Sequence, residues 1–209
     1  MGENYTIRVS KIPQAIFYAF FPAFLAKEPP IEIRKVWDSL LAEGKKVVAI
    51  GGSDAHTLVY RFGPFKKTVF PYSYHFKTLN NHILVENELT GNANEDSKQI
   101  LTALKKGNAF IANDSVKSAR GFRFYTAANE NSHIMGEELS FKDGITLTVE
   151  LPSDAECVLL KDGKPVLRKQ KCSQITYSVE STGCYRIECY RRYLFERRGW
   201  IFSNPIYIR

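Results

Sequence analysis

Asp54 and His56 are the residues best suited to do chemistry, and they follow the run Val47-Val48-Ala49-Ile50-Gly51-Gly52-Ser53. A short apolar run with β-branched members reads as a buried strand, and the paired glycines let the backbone turn at its end. Residues two apart on an extended backbone point the same way, so the Asp54 carboxylate and the His56 imidazole are expected to converge. A carboxylate and an imidazole at the carboxyl end of a buried parallel strand are the donors a catalytic metal ion needs. The same spacing also fits a turn aspartate beside an incidental histidine.

The flanking elements must hold that pair in place. Upstream, Ile31 to Glu43 carries Ile33, Val36, Trp37, Leu40 and Leu41 at helical spacing, with Glu32, Arg34, Lys35, Asp38 and Glu43 on the other side. Pro29-Pro30 precedes this helix and Gly44 follows it, with Lys45 and Lys46 near the negative end of its dipole. Helix, buried strand and polar pair together form one step of an α/β barrel or a doubly wound sheet. Downstream, Thr57 to Phe76 reads as a long loop over the mouth of the site. In it Tyr72, Tyr74 and His75 are candidate pocket residues and Arg61 a candidate contact for an anionic substrate. Phe76 to Glu86 has a helix-like pattern carrying His82, which is either a structural histidine or a pocket residue. A second clear helix has Asp96 as its cap, Ile100, Leu101 and Leu104 as its stripe, and Lys105-Lys106-Gly107 as its end.

Beyond Gly107 the period changes from helical to alternating. Ile145, Leu147 and Val149 alternate with polar residues, as do Ile175, Tyr177 and Val179, and then Tyr185, Ile187 and Cys189. Asp162-Gly163 between Val158-Leu159-Leu160 and Pro165-Val166-Leu167 predicts a tight hairpin. Short strands at this spacing suggest an immunoglobulin-like antiparallel sandwich, with Gly183-Cys184-Tyr185 as a candidate tyrosine corner. The expected division is therefore 1–107 and 108–209, an α/β part followed by an all-β part.

The stretch from Trp37-Asp38-Ser39-Leu40-Leu41 through Gly51-Gly52-Ser53-Asp54-Ala55-His56 resembles the last metal-binding motif of the PHP family, the polymerase and histidinol phosphatase hydrolases. Later segments resemble the branch of that family similar to carbaryl hydrolase. They include Phe70-Pro71-Tyr72, Asn80-Asn81-His82, Met135-Gly136-Glu137, Gly183 to Glu188 and Gly199 to Tyr207. The resemblance implies the C-terminal portion of a PHP-type α/β barrel, with Asp54 and His56 descended from ligands of a divalent metal (zinc, manganese or iron). It also implies that a metal-activated water attacks a small-molecule phosphoester, carbamate or ester. The family opens with a His-x-His motif, which this chain lacks; its four histidines are His56, His75, His82 and His133. The expectation is a fragment of the hydrolase, weak or inactive without the remaining ligands. No residue stands out as a general acid.

Composition allows other classes. At 209 residues with 44% hydrophobic content the chain can bury a sizeable core. Ile12 to Ala26 is apolar but too short and too interrupted by proline to span a bilayer, which leaves no membrane partner expected. Cys157, Cys172, Cys184 and Cys189 form no Cys-x-x-Cys and read as free thiols of a cytoplasmic protein, their pairing state open. The net charge of +7, with Arg191-Arg192 and Arg197-Arg198 around Tyr193 and Phe195, raises nucleic-acid binding as a weaker reading. A catalytically silent sandwich serving as an interaction module is the remaining alternative.

Overall fold

The computed structural model describes residues 12–127 and 132–209. In chain order its helices are α1 (Ile12–Phe20), α2 (Ile31–Ala42), α3 (Tyr72–Thr78) and α4 (Ala93–Lys106), with a 3-10 turn at Pro22–Phe24. The strands are β1 (Leu58–Phe62), β2 (Phe65–Val69), β3 (Leu79–Ile83), β4 (Ala109–Asn113), β5 (Arg123–Ala127) and β6 (His133–Ile134). They continue as β7 (Glu138–Leu139), β8 (Thr146–Lys161), β9 (Lys164–Ser178), β10 (Gly183–Tyr193), β11 (Glu196–Ser203) and β12 (Ile206–Ile208).

Most of the chain is antiparallel sheet, and the α/β barrel expected for the first half is not what forms. One ten-stranded sheet runs β3-β4-β11-β10-β8-β5-β6, with β9 beside β8 and β12 joining β10 to β7. Among the described residues its only parallel pair is β7 with β12. Because β3 pairs with β4, and β4 with β11, the sheet passes straight across Gly107. The segment expected as one helix over 76–86 is instead the end of α3 and the strand β3. The expected long loop after His56 is the β1–β2 hairpin followed by α3. Leu79 to Ile83 is extended because it pairs with β4 along its whole length, which overrides the weak helical pattern.

The C-terminal half follows its alternation closely. Asp162 and Gly163 both take positive φ at the β8–β9 turn, as a two-residue type I′ hairpin requires. Tyr185 donates its hydroxyl to the Ser181 carbonyl at 2.7 Å, but the strands join one continuous sheet and not the two packed sheets of the expected immunoglobulin-like sandwich. One sheet face carries the main core, with Phe110, Leu147, Val149, Leu159, Ile175, Ile187, Trp200 and Ile201 all buried. The Cys157 and Cys189 thiols meet within it, 3.5 Å apart across β8 and β10.

Alternation alone would put the even positions of β10 in water, but α2 lies on them. Arg186 is 1% exposed; its guanidinium grips Asp38 of α2 at 2.7 and 2.8 Å and donates to Glu188 at 2.7 Å. Arg34 reaches Glu188 at 2.8 Å and the Tyr190 hydroxyl at 2.7 Å, and Trp37 covers the Arg186 guanidinium. Leu41 then packs with Cys184 and Tyr207. The sheet-facing stripe of α2 is therefore Arg34, Trp37, Asp38 and Leu41, one residue round from the expected apolar stripe. Ile33 and Val36 are left 63% and 62% exposed. Burying Arg186 demands a carboxylate opposite it, so charge pairing overrides the apolar stripe in orienting the helix. No helix among the described residues is long and apolar enough to cross a membrane.

Burial alone would push the Glu188 carboxyl up, but Arg186, the Tyr190 hydroxyl and Arg34 hold it below its ordinary value of 4.5. The stability this gives is complete above that value and is lost as pH falls through the depressed one. Glu188→Ala takes a shared carboxylate from two guanidinium groups, leaving Arg186 its pair with Asp38 and Arg34 its bond to Tyr190, and is expected to cost about 3 kcal/mol in urea unfolding at neutral pH. The variant's remaining stability should decline less steeply than the parent's below about pH 4.5.

Candidate functional site

Residues 47–53 carry the motif, and they run as a single extended strap rather than as a strand of the sheet. The expected central parallel strand does not form because the backbone groups of this segment are bonded by side chains. Asn204 accepts from the Ala49 N–H at 2.8 Å and donates to the Ala49 carbonyl at 3.1 Å. Asn81 accepts from the Gly51 N–H at 2.7 Å and donates back to the Gly51 carbonyl at 2.8 Å. Val47 is held the same way: Trp37 donates to its carbonyl at 2.9 Å, and its N–H bonds the Tyr207 hydroxyl, which burial pushes up to about 12. Each carboxamide turns one N–H and its oxygen toward the strap, so it pairs with a peptide group as a neighbouring strand would. Gly51 permits the approach, since a Cβ there would lie 2.7 Å from Ile111 Cγ2.

At the end of the strap Asp54 and His56 do come together. Asp54 takes φ +46°, a left-handed conformation that aspartate tolerates better than most residues. Its Oδ1 stands 3.2 Å from His56 Nδ1. The same Nδ1 lies 2.9 Å from the Asp54 carbonyl oxygen, which can only accept, so Nδ1 donates there and in the neutral ring Nε2 is the nitrogen left with a lone pair. Asp54 thus stands behind His56 and orients it, leaving Nε2 as the free donor atom.

A divalent ion is implied by the family resemblance, and the donor set can be tested against it. Ligand atoms about 2.1 Å from one ion stand about 3.0–3.4 Å apart, which the pair satisfies, but a protonated Nδ1 cannot coordinate. The side chains are 93% and 74% exposed. Among the described residues no group of three or more His, Cys, Asp or Glu could hold a metal ion. The pair does not by itself make a metal centre.

The pair sits at the rim of a cleft of about 790 Å³. Its floor is Ile111, Phe202 and Leu79 from the sheet, and its walls are α2, the strap, and the Phe70–Thr78 segment. His75 also lines it and is 7% exposed; its Nε2 has no hydrogen-bond partner among the described residues. Tyr74 lines the cleft too, donating to the Pro22 carbonyl at 2.7 Å, and burial raises its hydroxyl. The Nε of Arg34 is likewise buried without a partner.

The other candidates lie elsewhere. Arg61 is exposed on the β1–β2 hairpin opposite Lys66 and does not line the cleft. His82 is on β3, where Nε2 meets Asp114 Oδ2 at 2.8 Å and the ring stacks on Phe110. Asp114 also accepts from Asn80 and from the Ala119 N–H, so His82 helps pin the 113–119 turn. The arginines at the β10–β11 tip are mostly engaged: Arg198 is buried against the Ala23 and Ala26 carbonyls, Arg197 pairs with Glu156, and Arg191 covers Trp200. Sequence reasoning missed Asn81 and Asn204. One lies mid-strand in β3 and the other just past the end of β11, and asparagines at such places are too common to single out.

No family model, no curated protein and no solved structure matches this chain.

Asn204→Ala removes the partner of the Ala49 N–H and two carbonyls, one of them the buried Ala109 carbonyl. It should lower unfolding stability by about 1–3 kcal/mol and speed proteolytic cutting within residues 44–57. Asn204→Asp, which sets a carboxylate against two carbonyl oxygens, should cost more than the alanine change in the same assays.

Proposed function

We propose that this chain is part of a PHP-type metal-dependent hydrolase, supplying one wall of a substrate cleft and the Asp54–His56 pair. The remaining ligands come from outside the described residues, and the chain alone is inactive. The observation that carries this reading is the 3.2 Å approach of the Asp54 carboxylate to the His56 ring at the rim of the cleft. A strained backbone at Asp54 supports it, because residues held at unusual φ cluster where geometry serves function. The resemblance of residues 37–56 to the family's last metal motif adds to it. What the pair does unaided is modest: Asp54 fixes the tautomer, and His56 presents Nε2 to the cleft mouth as a base or a nitrogen ligand. The apolar floor suits a small organic ester or phosphoester.

A second reading, a binding module with no chemistry of its own, is favoured by the exposure of the pair and by uncovered Ile33 and Ile50 beside it.

Calorimetric titration of the chain with Zn²⁺ and with Mn²⁺ separates the two. The hydrolase reading expects weak binding that His56→Ala abolishes and Asp54→Ala weakens about 10–100-fold, the effect of losing a group that orients a ligand. Binding that is absent, or unchanged in His56→Ala, overturns it.

A further inference from the structure

The strap is bonded along one edge only. Residues 47, 49 and 51 have both their N–H and C=O groups engaged, all by side chains of Trp37, Tyr207, Asn204 and Asn81. Val48, Ile50 and Gly52 have no backbone partner among the described residues. On an extended chain alternate residues turn their peptide groups to opposite edges. The pattern is therefore that of a strand paired on its inner side and open on its outer side. Free donors and acceptors recur there every two residues, about 6.7 Å apart.

The outer edge is reachable. Ile50 is 68% exposed and Gly52 is exposed, and no strand of the sheet flanks this side. The charged side chains and prolines that commonly blunt a free edge are missing from residues 47–53. Ile50 and Ile33 both line the cleft beside it, so an incoming chain meets apolar surface next to its hydrogen bonds.

We propose that Val48, Ile50 and Gly52 form a docking edge for an extended peptide strand, which adds to the strap by main-chain hydrogen bonds. The occupant is a polypeptide segment whose alternate side chains are apolar. Unpaired N–H and C=O groups at strand spacing are complementary to another extended backbone, and Ile33 and Ile50 select for apolar side chains at every second position. The recognition is independent of Asp54 and His56 and goes beyond the hydrolase reading.

The test uses the ¹⁵N-labelled chain and the peptide acetyl-Lys-Val-Thr-Val-Thr-Val-Lys-amide. Amide exchange is followed by NMR. Adding the peptide should slow exchange at Val48, Ile50 and Gly52 by tenfold or more. Val47, Ala49 and Gly51, already bonded, should change little. The same peptide N-methylated at alternate residues should give no protection. Ile50→Pro deletes the central donor and should abolish the effect, whereas Ile50→Val keeps the backbone and the apolar contact and should retain peptide affinity within about threefold. No protection at millimolar peptide overturns the proposal. So does equal protection by the N-methylated peptide, or protection already present without peptide that rises with protein concentration, which would assign the edge to a second copy of the chain.

Discussion

Two carboxamides do the work of a missing strand. Asn81 and Asn204 each bond the N–H and C=O of one residue in the strap, and everything at the site depends on that attachment. The strap cannot join the sheet edge-on, because it crosses a face already formed by β3, β4 and the end of β11. It approaches so closely that Gly51 leaves no room for a side chain above Ile111. Side-chain amides bridge sheet and strap where backbone cannot. The position of Asp54 and His56, the floor of the cleft and the open outer edge all follow from this geometry.

The charged layer beneath α2 is the second constraint. Arg186 and Glu188 lie on the sheet face opposite the main core, and they are tolerable there only because Asp38, Arg34 and Tyr190 complete their bonds. A helix docked by ion pairs need not spend its apolar residues on the interface. Ile33 and Val36 therefore face outward, Ile33 beside the cleft. Exposed apolar side chains on an ordered helix beside an open strand edge mark a surface built to be covered.

The antiparallel half of the fold was legible in the sequence because its signals are local. Period-two alternation marked the strands at 145–149, 175–179 and 185–189, and Asp162-Gly163 fixed a turn whose backbone only such residues adopt readily. Helix α4 was legible for the same reason, although Asn92 rather than Asp96 is its cap. The α/β reading of residues 31–56 failed because a run such as Val47-Val48-Ala49-Ile50 reports extended backbone but not its neighbours. Whether it joins a parallel sheet or is held by asparagines is decided by residues 30 and 155 positions further along the chain. The spacing of Asp54 and His56 suggested that they lie close, and they do, but not by the extended-strand alternation expected, because Asp54 is left-handed. Which atom of the pair stays free was not readable, because that depends on the carbonyl that takes the Nδ1 proton.

The separation along the chain between Ala49 and its partner Asn204 bears on how the protein is made. The strap and α2 leave the ribosome well before Asn204 and Tyr207 do. At about 5–20 residues per second the early segment waits on the order of ten seconds for its anchors. Throughout that interval its apolar side chains and unsatisfied peptide groups are open to whatever else in the cell binds extended chain.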